Sequence, residues 1–163
     1  MKTLYIVRHA KSSWDDPDQD DFDRPLNERG AKDAPRMGKR LLERGLAPNL
    51  VISSSAARAL ATAKLMAKAF GHEEKKIRQD RSLYHAGPAS LLNAIRLADD
   101  KNEIIMIVGH NPGLTEFANN LLKENISNIP TSGIVAATLK IDSWKDATMG
   151  CGKMLFFDFP KNK

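Results

Sequence analysis

Four residues with chemistry to offer stand beside apolar runs. Arg8 and His9 close the run LYIVRH, Arg58 lies in SSSAARALATA, and His110 follows IIMIVG in the segment IVGHNPG. A core strand gains nothing by ending on a cation and an imidazole. Those strand ends therefore suggest the mouth of a site. Arginine presents a planar fork of donors that fits phosphate oxygens. Two guanidiniums beside two imidazoles make a concentrated cationic pocket whose natural ligand is a phosphoryl group. The net charge of +5 fits either ordinary solubility or attraction of such an anion.

The same positive charge argues against a metal. His9, His85 and His110 could be counted as zinc ligands, but Arg8 and Arg58 would repel the cation, and no pair has H-x-x-x-H or C-x-x-C spacing. No metal and no other cofactor is expected. Other hydrolytic designs fail on residues. A thiolate phosphatase needs an arginine in the loop after its cysteine, whereas Cys151 is followed by GKMLFF and reads as a small strand-edge residue. GHNPG has the shape of a nucleophile elbow with Asn111 where the serine should stand. The Gly-rich phosphate loop G-x-x-x-x-G-K-[ST] is missing. The remaining nucleophile is a histidine, whose neutral imidazole can attack phosphorus and form a phosphoenzyme that water breaks.

The elements that must position these groups can be read from the pattern. KTLYIVR, NLVISSS, EIIMIVGH, IVAATLKI and KMLFFDF read as five strands. Between them lie helical stretches. One is expected from the capping residue Asn27 to Arg44, stopped by Gly45 and burying Ala34, Met37, Leu41 and Leu42; Pro35 predicts a kink or a restarted first turn. A second runs from near Ser55 to Gly71, a third covers SLLNAIRLA, and a fourth starts at Pro112. Alternation of this kind predicts a three-layer α/β/α sandwich, a mainly parallel sheet with helices on both faces, in which ligands sit beyond the carboxyl ends of the strands.

No repeat or linker divides the chain, so residues 1–163 are expected to form one domain. With 28% charged residues the composition is that of a soluble globular protein. No apolar run approaches the roughly 20 residues that span a bilayer, and no dense basic run with interleaved aromatics suggests a nucleic-acid groove. A cytoplasmic location is expected, with neither membrane nor nucleic acid as partner; the single cysteine agrees with a reducing compartment.

VRHA, SSSAARALATA and VGHNPG, in this order and spacing, resemble the histidine phosphatase superfamily, which includes the phosphoglycerate mutases. RHAKSSW, DRPLNERG and GHNPG resemble more closely its small SixA-type phosphohistidine phosphatase branch. The resemblance covers nearly the whole chain and implies a phosphoglycerate mutase-like fold. It implies that His9 is the nucleophile, that Arg8 and Arg58 clamp the phosphoryl group, and that His110 hydrogen-bonds it. Ser12, His85 and Asn111 are further candidates for substrate contact. Ser12 could equally cap its loop, and His85 could be a rim histidine. Trp14 is expected to pack in its loop, and Arg24 to anchor DRPLNERG to the acidic run Asp15 to Asp23. Larger members of the family carry a carboxylic acid on an inserted segment, but RSLYHAGPASLL has no Asp or Glu. An alkoxide leaving group gains about 10²–10⁴-fold from such an acid; the nitrogen of phosphohistidine is more readily protonated. The expected substrate is therefore phosphohistidine in a protein. The alternative is a small phosphorylated molecule, with the chain acting as a phosphomonoesterase. His85 and the acidic run remain candidate acids.

Overall fold

In the computed structural model, which describes residues 1–162, the run Leu4–Val7 lies without solvent exposure in the middle of a six-stranded sheet. The strands are β1 (Lys2–Arg8), β2 (Leu50–Ser54), β3 (Arg78–Asp80), β4 (Ile104–Gly109), β5 (Ile134–Leu139) and β6 (Gly152–Asp158), ordered β3-β2-β4-β1-β5-β6. The pairings β2–β3, β2–β4 and β1–β4 are parallel, and β5 and β6 add an antiparallel edge. Near-continuous apolar runs suit β1 and β4 because both faces of the sheet are covered. Leu4 and Ile6 face one core with α3 (Pro88–Arg96) and α4 (Gly113–Leu122). Tyr5 and Val7 face another with α1 (Glu28–Glu43) and α2 (Ala57–Ala69). Period-two alternation along β1 thus feeds both layers of helices, and the α/β/α sandwich is the one expected.

Several details differ from the sequence reading. The sheet has a sixth strand, β3, whose three residues Arg-Gln-Asp carry no apolar signal; it exists because its backbone pairs with Ile52–Ser54. The first helix is capped by Asn27, whose side chain accepts from the Gly30 N–H at 2.8 Å, but it runs unbroken through Pro35 with no restart. The carbonyl that loses its donor is that of Ala31, on the exposed side, where water can serve it. Leu42 is exposed, not buried, since Met37 and Leu41 already fill the stripe facing α2. The fourth helix begins at Gly113, with Pro112 as its cap.

Two of these helices press their first turns against the loops that carry the chemistry. A Cβ on Gly30 would run into the carbonyl oxygen of Lys11, two residues past His9, and a Cβ on Gly113 would run into that of Ala86, next to His85. Both obstacles are backbone, so neither can swing away. Gly30→Ala should therefore cost about 1–3 kcal/mol through overpacking and lower kcat/KM as well, because relief requires moving the segment after His9. Paired denaturant melts and kinetics check this; an unaltered melt with unaltered kinetics would show that the loop yields freely.

Candidate active site

Sheet register brings the two histidines together. Arg8 pairs with Gly109 across β1 and β4, so the next residues, His9 and His110, leave the sheet side by side. Their ring centres are 5.1 Å apart. The His9 N–H donates to the Gly109 carbonyl at 3.1 Å, holding the exit together. β2 ends one strand over, and Arg58 follows in the first turn of α2. Arg8, His9, Arg58 and His110 line one open cleft of about 650 Å³, together with Ser12, Trp14, Asp21, Arg24, His85 and Asn111.

Ring hydrogen bonds fix the imidazole protons. His9 Nδ1 lies 2.7 Å from the carbonyl oxygen of Ala10. A carbonyl can only accept, so Nδ1 carries the hydrogen and Nε2 keeps its lone pair. His110 Nε2 lies 2.8 Å from Ser54 Oγ, which already accepts from the Ala56 N–H at 3.2 Å. Nε2 is the one acceptor in reach of the serine proton among the described residues; with that proton on the Ser54–Nε2 bond, the hydrogen of His110 sits on Nδ1, a buried atom with no partner among the described residues. Burial pushes both rings toward the neutral form: His9 down to about 4, with Arg58 and Arg8 adding repulsion, and His110 down to about 3, with His9 and Arg58 adding repulsion.

Both arginines are clamped on one side. Arg8 Nη1 donates to the Ile129 carbonyl at 3.0 Å. Arg58 donates from Nη1 to the backbone carbonyl of Asp21 at 2.6 Å and from Nη2 to its carboxylate at 2.9 Å. One N–H of each terminal nitrogen of Arg58 is thus engaged, which fixes the orientation of the fork. Each guanidinium keeps further N–H groups for a ligand, among them Nε, which in both is buried and unpartnered among the described residues. His110 Nδ1 is unpartnered too, and all three residues line one cleft.

Asp21 is the main residue that sequence reasoning did not single out of the acidic run. Besides Arg58 it accepts from Tyr84 Oη at 2.6 Å and from Arg24 Nε at 3.1 Å. The Tyr84 hydroxyl above all, then Arg58 and Arg24, hold its carboxyl far below the usual carboxylate range. Its charge answers that of Arg58 and Arg24. Tyr84 was likewise missed. Arg24 does anchor its loop to the acidic run, also donating to the Ser13 carbonyl at 3.2 Å.

The other expected residues fall unevenly. Ser12 lines the cleft while its backbone bridges to Leu26. His85 is exposed, in a left-handed conformation at φ 60°, with its ring 3.9 Å from that of Tyr84. The Asn111 amide is already engaged: its oxygen accepts from Thr115, and its nitrogen donates to Asn128 and Ile129. Trp14 does not pack into its loop as expected. It is 75% exposed, with the Arg24 guanidinium carbon 3.4 Å from its ring centre. Among the described residues no three His, Cys, Asp or Glu side chains are placed to share a metal ion, and no helix is long and apolar enough to cross a membrane.

Comparison with known proteins gives this geometry a context. Residues 4–84 match the profile of the histidine phosphatase superfamily (branch 1). An uncharacterised protein of Mycobacterium tuberculosis is 32% identical over 166 residues, covering 95% of this chain and 100% of its own. A candidate phosphohistidine phosphatase SixA from Agrobacterium tumefaciens superposes with a TM-score of 0.83 at 28% identity, over 98% of both chains. The protein histidine phosphatase SixA complexed with tungstate shares the fold, with a TM-score of 0.83 at 18% identity and 98% of each chain covered.

Two outcomes follow from the clamped, neutral site. In an NMR titration of the free protein, the His9 and His110 rings should stay neutral through pH 6 and protonate only near 4 and 3. Because the folded values lie below the unfolded value of about 6.5, the stability these neutral rings contribute is complete above that pH and declines as acid is added toward 4. A ring titrating near 6.5 would contradict the burial argument. Asp21→Asn, which keeps the shape but not the charge, should lower kcat/KM by roughly tenfold or more by freeing Arg58, with little change in the melt.

Proposed function

The chain belongs to the histidine phosphatase superfamily, among whose members it is SixA-like, and from this membership we propose that it transfers phosphoryl groups through a covalent intermediate on His9, with protein phosphohistidine as favoured substrate. Membership makes it a histidine-dependent phosphatase; the residue roles and the substrate are the proposal. One observation carries the roles: His9 Nδ1 is committed to the Ala10 carbonyl, so its Nε2 lone pair faces a cleft supplied with donors.

In this reading Nε2 attacks phosphorus as the bond to the leaving group breaks. The guanidinium Nε atoms of Arg8 and Arg58 and the Nδ1–H of His110 stabilise the charge spread over the three phosphoryl oxygens, at fixed positions and with little reorganisation. Water then attacks phosphorus, the P–Nε2 bond breaks, and the electron pair returns to His9. No metal takes part. The leaving group fares differently. Asp21 cannot protonate it, because it is held ionised. Asp15 and His85 on the cleft wall and, in a neighbouring hollow of about 220 Å³, Glu116 are the remaining candidates. An open cleft without a committed acid suits a leaving nitrogen better than an alkoxide.

His9→Ala should abolish turnover, and wild type quenched without acid should carry an acid-labile, alkali-stable phosphoryl group on His9. Near-normal activity in His9→Ala would sink the mechanism. Phosphohistidine peptides should be turned over faster than sugar or nucleotide monophosphates, with chelator making no difference. Across aryl phosphates of graded phenol pKa, kcat/KM should fall steeply with leaving-group basicity, and Asp15→Asn, His85→Ala, Glu116→Gln and Asp21→Asn should leave the slope unchanged. A shallow slope that steepens in one variant would identify that residue as the acid and favour the small-molecule phosphomonoesterase.

A further inference from the structure

A second cavity of about 280 Å³ adjoins the catalytic cleft and shares Lys11 and Thr131 with it. Both shared residues are bound into the reacting centre. Lys11 follows His9 by two positions. Thr131 precedes Ser132, whose N–H donates to the carbonyls of Arg8 and His9 at 3.1 and 3.2 Å. The phosphoryl-transfer steps described above use none of the residues beyond that shared wall.

The lining of this cavity is unbalanced in charge. Lys11, Arg29 and Lys161 contribute three cations against one carboxylate, Asp33. Asp33 is buried, and its oxygens lie 3.5 Å from Arg29 Nε and 3.7 Å from Arg36 Nη1, so its charge is answered from within α1. Lys11 and Lys161 enter no salt bridge among the described residues. Phe159 supplies an apolar wall beside them. A cationic rim on an apolar wall fits an anionic group carried on a short carbon stem.

We propose that this cavity is an anion subsite for a second negatively charged group on the substrate. Resting on the phosphohistidine reading, that group is the carboxylate of a Glu or Asp lying within a few residues of the phosphorylated histidine. The reacting phosphoryl group and the carboxylate then occupy two hollows with Lys11 and Thr131 between them. Each exposed lysine alone is worth little, but cations that line one hollow of about 280 Å³ act on the same bound group together.

The test compares phosphohistidine peptides with acidic and with neutral flanks, in wild type and in Lys161→Glu, a position outside the catalytic cleft. Wild type should prefer the acidic peptide by roughly five- to tenfold in kcat/KM, carried by KM and shrinking as salt is raised. Lys161→Glu should erase or invert that preference while leaving turnover of phenyl phosphate within about twofold, the range of an uncoupled surface change. Equal treatment of the two peptides by wild type, or a preference that survives Lys161→Glu, overturns the subsite. If no phosphohistidine peptide is turned over, the substrate reading falls, and sugar bisphosphates against monophosphates decide the cavity instead. Selective loss of bisphosphate turnover in Lys161→Glu sustains an anion subsite for a small molecule; equal effects on both remove it.

Discussion

The structure turns on holding like charges together in a place that water only partly reaches. Two guanidiniums cannot shed their protons at any ordinary pH, and each sits beside two imidazoles. The conflict is resolved by three arrangements. The imidazoles stay neutral, each with its proton placed by a neighbouring oxygen, Ala10 for one and Ser54 for the other. Asp21 supplies a full counter-charge to Arg58, and the Ile129 carbonyl a partial one to Arg8. Without the Asp21 carboxylate, Nη2 of Arg58 would turn to solvent, and the backbone carbonyl at position 21 alone would hold that side of the guanidinium.

That electrostatic arrangement depends on the sheet for its geometry. Parallel pairing of β1 with β4 sets Arg8 opposite Gly109, and a slip of one residue would send one of the two histidines to the opposite face. The glycines at the starts of α1 and α4 complete the framing, because each lets a helix end touch the backbone of a chemical loop. Catalytic geometry in this protein is therefore set by backbone contacts, while the charges are set by side chains that arrive from elsewhere in the chain.

This division explains what could be read from the sequence. Arg8-His9 and His110 announce themselves because they interrupt apolar runs at strand ends, and the sandwich follows from alternating periodicities. The fine structure of the site does not announce itself. Asp21 is one acidic residue among several between Asp15 and Asp23, and nothing local marks it as the one that turns inward; its partners lie 37 residues away at Arg58 and 63 away at Tyr84. Ser54 looks like any serine at a strand end until His110 is placed beside it. β3 is legible only as backbone, since its pairing owes nothing to apolar side chains. Pro35 shows the reverse error, a strong local signal overridden by a solvent-facing carbonyl.

The stacking of Trp14 on Arg24 has a spectroscopic consequence. The chain has two tryptophans. Trp144 is fully buried and donates its indole N–H to the Asn102 carbonyl at 2.7 Å, so it emits from the core. Trp14 emits from the rim with a guanidinium on one face, and that guanidinium leads through Asp21 to Arg58. The protein thus carries two intrinsic fluorophores in separate environments, one reporting the integrity of the fold and the other the state of the arginine–aspartate relay. A red-edge emission change without a change from the buried indole would be the optical signature of an event confined to the cleft.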